Sequence, residues 1–218
     1  MARHWKRAIT TFGAAAALAA LCAACAPALP AGVLRTNDVV PASQGPPPNL
    51  SKYLVPYTSM VQANITWTKQ ALPSTKLAPP KGCAMRATDY AELSAVPEAY
   101  ELLIGCPKAS DISVYYSQIN WSKLVAAGWK YVPTYGTYGT ASKAYAKFYV
   151  YPGYSPEGCW AYVDLFKQNT VFGITAYCDQ TGSGTTQREI LTSAEQWTAA
   201  VLHQILHVQK PPAKQVTI

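Results

Sequence analysis

Apolar and polar residues alternate regularly through the middle of the chain. Residues 143–151 alternate lysines and tyrosines with alanine, phenylalanine and valine. Residues 159–178 continue the same period of two on both sides of a polar Lys-Gln-Asn-Thr segment. Successive side chains of a strand point to opposite faces of a sheet, so this pattern predicts a three-stranded antiparallel meander.

The second of these segments is predicted to be a hairpin with a defined register. A four-residue loop at 167–170, closed by Phe166 and Val171, places Cys159 directly opposite Cys178. The cysteines then form a non-hydrogen-bonded pair, in which side chains approach closely enough for a disulfide. One face is predicted to be core and comprises Cys159, Ala161, Val163, Leu165, Phe172, Ile174, Ala176 and Cys178. The other is rich in aromatic residues and comprises Trp160, Tyr162, Asp164, Phe166, Thr175 and Tyr177.

Shorter elements are predicted before the meander. Residues 112–117 are expected to form a strand, and residues 97–104 a helical or irregular segment. Asn120 is a suitable N-cap for a short helix that Gly128 ends, and a strand follows as far as Pro133.

A C-terminal helix is predicted from Thr192, because Thr192 and Glu195 have the spacing of a capping box. Its apolar stripe is expected to pack on the sheet and comprises Trp197, Val201, Leu202, Ile205, Leu206 and Val208.

Together these elements predict an α+β fold. We expect a single small disulfide-stapled domain at residues 81–210, with an antiparallel β-meander packed against the C-terminal helix. A Pro-rich tether at 26–80 precedes the domain, and a tail at 211–218 follows it.

The first 25 residues have the composition of an export signal peptide. Arg3, Lys6 and Arg7 precede an Ala-rich apolar stretch, which Pro27 and Pro30 follow closely. The sequence therefore predicts that the folded part works outside the cytoplasm.

The end of this signal, Cys22-Ala23-Ala24-Cys25, resembles the lipobox of bacterial lipoproteins, with Cys22 where the lipobox usually has Leu. The resemblance covers only the signal and implies that Cys25 becomes the acylated first residue, so that a lipid attaches the protein to a membrane. By analogy with lipoprotein sorting, Ala26 at the next position implies the outer membrane. Ordinary cleavage near Ala24 or Ala26, or an uncleaved anchor, remains the alternative.

Removal of the signal changes the charge of the chain. Three of the 18 basic residues lie in it and all 11 acidic residues lie beyond it, which leaves a net charge of about +4. No cluster of basic residues along one helix or strand accompanies this small excess, so no nucleic-acid partner is predicted.

Four cysteines follow Cys25. In an oxidising compartment an even number indicates disulfides, and four cysteines allow three pairings. Their spacing favours Cys83 with Cys106 and Cys159 with Cys178.

Candidate catalytic chemistry is sparse. His203 and His207 lie four residues apart on the final helix, a spacing that suits two metal ligands, but no third histidine accompanies them beyond the signal. The sequence has no Gly-x-Ser-x-Gly motif and no phosphate-binding loop. We therefore predict no metal, no cofactor and no enzymatic activity. A hydrolase that uses a carboxylate pair, for which Glu157 and Asp164 are candidates, is the least favoured alternative.

The aromatic strand faces are the best candidate for a functional surface. If the strand at 143–151 pairs with the hairpin, its tyrosines and those of the hairpin can merge into one surface. That predicted binding surface comprises Tyr145, Lys147, Tyr149, Tyr151, Trp160, Tyr162 and Tyr177. Strands favour aromatic residues in any case, and a helix covering this face is the structural alternative. The favoured function is binding of an envelope protein partner, for example in a secretion or envelope-assembly complex, and the alternative is binding of cell-wall glycan.

Overall fold

A seven-stranded antiparallel sheet forms the centre of the molecule in a computed structural model. The structure describes residues 47–56, 67–69, 79–92, 97–150, 158–181 and 185–209. The strands are β1 (Trp67–Lys69), β2 (Ala84–Glu92), β3 (Glu98–Gly105), β4 (Lys130–Tyr131), β5 (Ala141–Val150), β6 (Gly158–Gln168) and β7 (Val171–Thr181). Their order across the sheet is β1-β2-β3-β7-β6-β5-β4.

Helices cover both faces of this sheet. Helix α1 (Ala109–Ser117) and helix α2 (Trp121–Ala126) lie on one face, and the long helix α3 (Gln187–Gln209) lies on the other. We call these faces the α1–α2 side and the α3 side. The predicted α+β class, with an antiparallel sheet packed against a C-terminal helix, is confirmed.

Each face of the sheet has its own hydrophobic core. On the α1–α2 side, Ile112, Tyr115 and Leu124 of the helical layer pack on β3, β6 and β7. On the α3 side, the helix buries Ile190, Ala194, Trp197, Val201 and Ile205. Helix spacing of three or four residues places these five side chains on one stripe.

The β6–β7 hairpin has a different turn from the one predicted. Gln168 pairs with Val171, so the turn is the two residues Asn169 and Thr170, and Asn169 adopts φ +50°. Asparagine tolerates this left-handed conformation better than most residues, and two-residue hairpin turns require it. Cys159 therefore pairs with Gln180 and Cys178 with Ala161, so the predicted direct pairing of the two cysteines is wrong.

Two predicted elements have the wrong type. Residues 98–105 form β3 in the interior of the sheet, rather than a helical or irregular segment. Residues 109–117 form helix α1, where a strand at 112–117 was predicted. Burial of Ile112 and Tyr115, which lie three residues apart on the helix, outweighs the strand preference of this Val- and Tyr-rich segment.

Helix α3 begins earlier than predicted. The amide of Thr186 donates to the Glu189 side chain at 2.7 Å, and the amide of Glu189 donates to Thr186 Oγ1 at 3.3 Å. This reciprocal pair is a capping box at the start of α3. Thr192 instead lies within the helix and donates to the carbonyl of Arg188.

Both ends of α2 and the strand that follows it agree with the prediction. Asn120 is the N-cap of α2, and Gly128 follows the helix with φ +87°. A glycine adopts this left-handed conformation without steric cost, which allows the chain to turn into β4.

Part of the predicted tether belongs to the folded unit. Residues 47–56 contain a short 3₁₀ turn at Leu50–Lys52 and bury Leu50 and Val55 in the α3-side core. Gln204 of α3 donates a hydrogen bond to the carbonyl of Lys52 at 2.8 Å. We call residues 47–56 the strap.

Within the described ranges, no helix combines the length and apolar character needed to cross a bilayer.

Candidate binding surface

Three lysines lie along the α1–α2 side of strands β5 and β6, each over an aromatic ring. The Nζ of Lys143 lies 4.8 Å from the ring centroid of Trp121, and that of Lys147 lies 4.9 Å from Tyr149. The Nζ of Lys167 lies 5.7 Å from the ring of Tyr116. An ammonium group at these distances is attracted by the negative face of the ring.

The helical layer fixes two of these lysines further. Lys147 donates to the carbonyl of Ala127 at 2.9 Å, and Lys167 donates to Ser113 Oγ at 3.1 Å. Each ammonium has three N–H donors, so these contacts leave donors available to a ligand. Lys143 is the most exposed of the three.

Further ring contacts connect the aromatic residues beside the lysines. Trp121 lies parallel to the buried Tyr145, with 5.9 Å between ring centroids, and Tyr131 meets Tyr145 edge to face. Tyr131 is 55% exposed. We call this surface the lysine–aromatic face and define it by Lys143, Lys147, Lys167, Tyr116, Trp121, Tyr131, Tyr145 and Tyr149.

The described acidic side chains on this side of the molecule are buried. Asp89, Glu98 and Asp111 belong to the α1–α2 side but are buried. Among the acidic side chains whose burial is described, the ones that reach solvent are Asp179, Glu189 and Glu195. Those three lie on the α3 side of β7 or on α3 itself, so among the described residues the exposed charge on the α1–α2 side is positive.

The predicted binding surface is divided between the two faces of the sheet. Tyr145 pairs with Val163 and Ala146 with Tyr162, so the β5 tyrosines point away from the aromatic residues of β6. Tyr145, Lys147 and Tyr149 therefore belong to the α1–α2 side, and the prediction of one merged surface is wrong. Trp160, Tyr162 and Tyr177 lie on the α3 side, and Tyr151 lies outside the described residues.

Helix α3 buries most of the aromatic residues on its side. Tyr162 and Tyr177 are buried, as the structural alternative anticipated, and Tyr162 approaches the carbonyl of Gln187 at 3.5 Å. Trp160 is half-buried and packs on the exposed Phe148, with 5.2 Å between ring centroids. Phe148 and Trp160 therefore form a small aromatic patch at one end of the sheet.

A row of polar side chains lies on the α3 side of the sheet, beneath α3 and the strap. Thr88, Glu101, Thr175 and Asp164 pair across four adjacent strands, and all four are buried. Thr175 Oγ1 lies 2.6 Å from Thr198 Oγ1 of the helix. Within the described part of the chain, both carboxyl oxygens of Asp164 and Oε2 of Glu101 lack a hydrogen-bond partner.

Burial changes the acidity of the two carboxyl groups in this row. Desolvation of the charged form raises the pKa of Asp164 to about 8. It also raises the pKa of Glu101 to about 8, although the hydrogen bond from the Val55 amide favours the carboxylate. Both groups therefore remain largely protonated at neutral pH, which adds to the positive charge of the domain.

A second buried carboxyl pair lies on the α1–α2 side. Asp89 and Glu98 share a side-chain hydrogen bond, and desolvation raises the pKa of Asp89 above its ordinary value. Cys178 Sγ lies 3.9 Å from Oε2 of Glu98. This pair is closed to solvent, so it does not form the open carboxylate cleft of a glycoside hydrolase.

The cysteines agree with the prediction in part. Cys83 and Cys106 form the predicted disulfide, with 4.4 Å between their Cα atoms. Cys159 and Cys178 are buried thiols, so the predicted second disulfide is absent from the structure. They lie diagonally on neighbouring strands because of the two-residue turn. The predicted core face, which contains both cysteines, is confirmed.

The remaining candidate residues that the structure describes, His203 and His207, do not form a reaction centre with other described side chains. His203 and His207 are exposed and stack at 6.5 Å between ring centroids. Across the described ranges, no three His, Cys, Asp or Glu side chains are placed to hold a metal ion. Cys25 and Glu157 lie outside the described residues.

The sequence pattern missed part of the lysine–aromatic face. Lys143 was predicted, with Lys147, to lie on the basic and tyrosine-rich face of the strand at 143–151, but Lys167 was assigned to a loop. Trp121 was placed only within the short helix predicted after Asn120, and the exposure of Tyr131 was not predicted. The alternation in β5 was a real signal, but the partner rings come from helices that only tertiary packing brings to the sheet.

No protein-family model matches the chain. No curated protein sequence matches it either. Among solved structures, the extracellular domain of PknH from Mycobacterium tuberculosis is similar to part of it, with 9% sequence identity and a TM-score of 0.32. The match covers 56% of this chain and 64% of that domain, less than two thirds of its length. The Cys83–Cys106 disulfide is characteristic of an exported, extracellular-type domain.

Proposed function

We propose that this chain is a non-enzymatic envelope protein that binds a protein partner through its lysine–aromatic face. In this proposal Cys25 is acylated, and the lipid anchors the protein in the outer membrane. Residues between Cys25 and the strap give the domain its reach from the membrane surface. The bound partner is another component of a secretion or envelope-assembly complex.

The observation that carries this proposal is the composition of the lysine–aromatic face. It combines three positioned lysines with the exposed Tyr131, and the described acidic side chains on the same side of the molecule are buried. Aromatic residues are enriched in the cores of protein interfaces, and complementary charge speeds and orients association.

The described residues favour binding over catalysis. The two carboxyl groups with the most perturbed pKa values, Glu101 and Asp164, are buried on the α3 side without access to solvent. The exposed His203 and His207 stack on each other, and no described carboxylate is hydrogen-bonded to either. A binding role uses the part of the molecule that solvent reaches.

Site-specific photo-crosslinking in the native host tests the proposal. A photoreactive amino acid in place of Tyr131 is expected to crosslink one envelope protein reproducibly, and Lys143→Glu in the same chain is expected to reduce the yield. The matched control is Leu206, which is also exposed but lies on the outer side of α3. Equal crosslinking from both positions, or none from position 131, would contradict the proposal.

Lipid attachment has its own test. Cys25→Ser is expected to move the protein from the detergent phase to the aqueous phase in detergent partitioning, and membrane fractionation of the unaltered protein is expected to place it in the outer membrane. Unchanged partitioning of the variant would refute acylation at this cysteine.

Glycan binding is the second candidate, and the patch of Phe148 and Trp160 favours it. The apolar face of a sugar ring can stack on such exposed rings, and Phe148 is 36% exposed. Titration with soluble cell-wall fragments is expected to change tryptophan fluorescence, and Trp160→Ala is expected to abolish the change without lowering Tm by more than a few degrees. No change with the unaltered protein would remove this candidate.

A further inference from the structure

We infer that the segment bound on the lysine–aromatic face is an extended acidic peptide with carboxylates at its first, third and seventh residues. The inference rests on the proposed function and deepens it, because it names the kind of partner that the face accepts.

The three lysines are spread along the strand direction, with Lys143 and Lys147 on β5 and Lys167 on the neighbouring strand β6. Lys167 lies opposite Ala141 in the β5–β6 pairing, so along the sheet it is level with residue 141. Lys143 follows two residues later and Lys147 four residues after that, all on the α1–α2 side. At about 3.3 Å per residue, the Cα positions of successive lysines are offset along the strand direction by about 7 Å and about 13 Å.

An extended peptide has the same rise per residue as β5. A peptide that lies along this row therefore meets the lysines at intervals of two and four of its own residues. Both intervals are even, so the carboxylates project from one side of the extended chain. A planar anionic surface, such as a membrane, has no corresponding preference for cations at these intervals.

The rings hold the ammonium groups in place before a ligand binds. Trp121 and Tyr149 lie under Lys143 and Lys147, and Tyr116 lies under Lys167. A lysine that is already restrained loses less conformational entropy when it pairs with a carboxylate. Asp89, Glu98 and Asp111 on this side are buried, so they do not offset the positive charge that the lysines present to an acidic peptide.

The test measures binding of three labelled heptapeptides to the purified domain by fluorescence anisotropy. The spaced peptide has the sequence Glu-Ser-Glu-Ser-Ser-Ser-Glu. The clustered peptide has three adjacent Glu followed by four Ser, and the neutral peptide has Gln in place of each Glu of the spaced peptide. We expect the spaced peptide to bind most tightly and to weaken as ionic strength rises.

Lysine variants locate the site. Lys143→Gln and Lys167→Gln are each expected to weaken the spaced peptide about two- to fivefold, as for loss of one exposed ion pair. Lys130→Gln is the matched control: Lys130 is an exposed lysine on the neighbouring edge strand, but it pairs with Ala146 and so points to the other face. Unchanged Tm values show that the variants are folded.

Each contrary result is specific. Equal affinity for the spaced and clustered peptides would overturn the spacing, and equal affinity for the neutral peptide would overturn the acidic class. Binding to phosphatidylglycerol vesicles without binding to the spaced peptide would replace the peptide by a membrane surface. If position 131 still crosslinks an envelope protein while the spaced peptide does not bind, this inference is wrong and the proposed function stands; if both fail, both are wrong.

Discussion

The backbone amide of Val55 donates a hydrogen bond to Oε1 of Glu101, 2.8 Å away, inside the protein. The two residues are 46 positions apart in the sequence, and Tyr90 completes the contact by donating to the carbonyl of Val55 at 2.9 Å. The strap therefore partners a carboxyl group at the centre of the sheet. Its docking and the protonation of Glu101 are coupled, because the amide hydrogen bond favours the carboxylate form.

The strap is expected to contribute to the stability of the domain. Leu50 is 2% exposed and packs, with Pro48, close to Gly105. Leu50→Ala is expected to lower the free energy of unfolding by about 2–4 kcal/mol, because it leaves a cavity in a packed core. Urea unfolding measures the change, and Lys52→Ala, an exposed position of the same turn, serves as the control.

Truncation gives an independent check of the strap. A chain that begins at residue 47 is expected to unfold at the same urea concentration as the chain that begins at residue 26. A chain that begins at residue 57 is expected to unfold earlier, since it lacks both Leu50 and Val55. Equal midpoints for all three chains would show that the strap adds nothing to stability.

The buried carboxyl groups predict a stability that falls as pH rises. Asp164 and Glu101 have pKa values near 4 when unfolded and about 8 when folded, so between these values the folded protein binds more protons. Each group then contributes a slope of about −1.4 kcal/mol per pH unit to the free energy of unfolding. The domain is expected to be more stable at pH 5 than at pH 8, as measured by urea unfolding.

Isosteric amides separate the two contributions. Asp164→Asn removes one titrating group and is expected to make the slope shallower, and Glu101→Gln is expected to do the same while keeping an acceptor for Val55. The control is Glu195→Gln, whose carboxylate lies at the outer edge of α3 near the Gly136 amide. A slope that stays the same in both amide variants would refute the assignment to these carboxyl groups.

The hairpin shows which property of a strand the sequence determines. The predicted register places Cys159 opposite residue 178, and the observed register places it opposite residue 180. A register shift of two residues leaves every side chain on the same face of the sheet. The core face was therefore predicted correctly although the cysteine pairing was not. The sequence between β5 and β6 shows no recognisable turn type, so it does not determine which β5 residues face the same side as Tyr162. Tyr145 was for this reason assigned to the wrong face.

Strand β3 shows where hydrophobic patterning stops being informative. It is buried along its whole length on both faces, so its sequence has no alternation. Glu98 and Glu101 interrupt its apolar run, yet both are buried. A pattern of polar and apolar residues assigns a carboxyl group to the surface even where it is buried, which is why the polar row on the α3 side of the sheet was not predicted.

The Cys83–Cys106 disulfide is expected to stabilise the domain. It joins Cys83, the residue before β2, to Cys106, the residue after β3, and the two cysteines are separated by 23 positions in the sequence. The double variant Cys83→Ser and Cys106→Ser is expected to lose about 3 kcal/mol of unfolding free energy, chiefly because the unfolded chain gains conformational freedom. A reductant should lower the stability of the unaltered protein by a similar amount and leave the variant unchanged; a variant that responds equally to reductant would contradict this account.

Gly173 is expected to tolerate no larger residue. A Cβ added there would meet the ring of Phe166, which is fully buried and has no room to move. Gly173→Ala is therefore expected to destabilise the domain by about 1–3 kcal/mol through overpacking. Phe166→Leu in the same chain should recover part of the loss, and the double-mutant cycle should show a coupling between the two positions. Gly136→Ala is the control. The added Cβ there would lie 3.2 Å from atoms of the half-buried Tyr138 side chain, and the position is exposed. Equal destabilisation at positions 136 and 173, or no coupling to Phe166, would show that the Phe166 ring is not the reason that position 173 requires glycine.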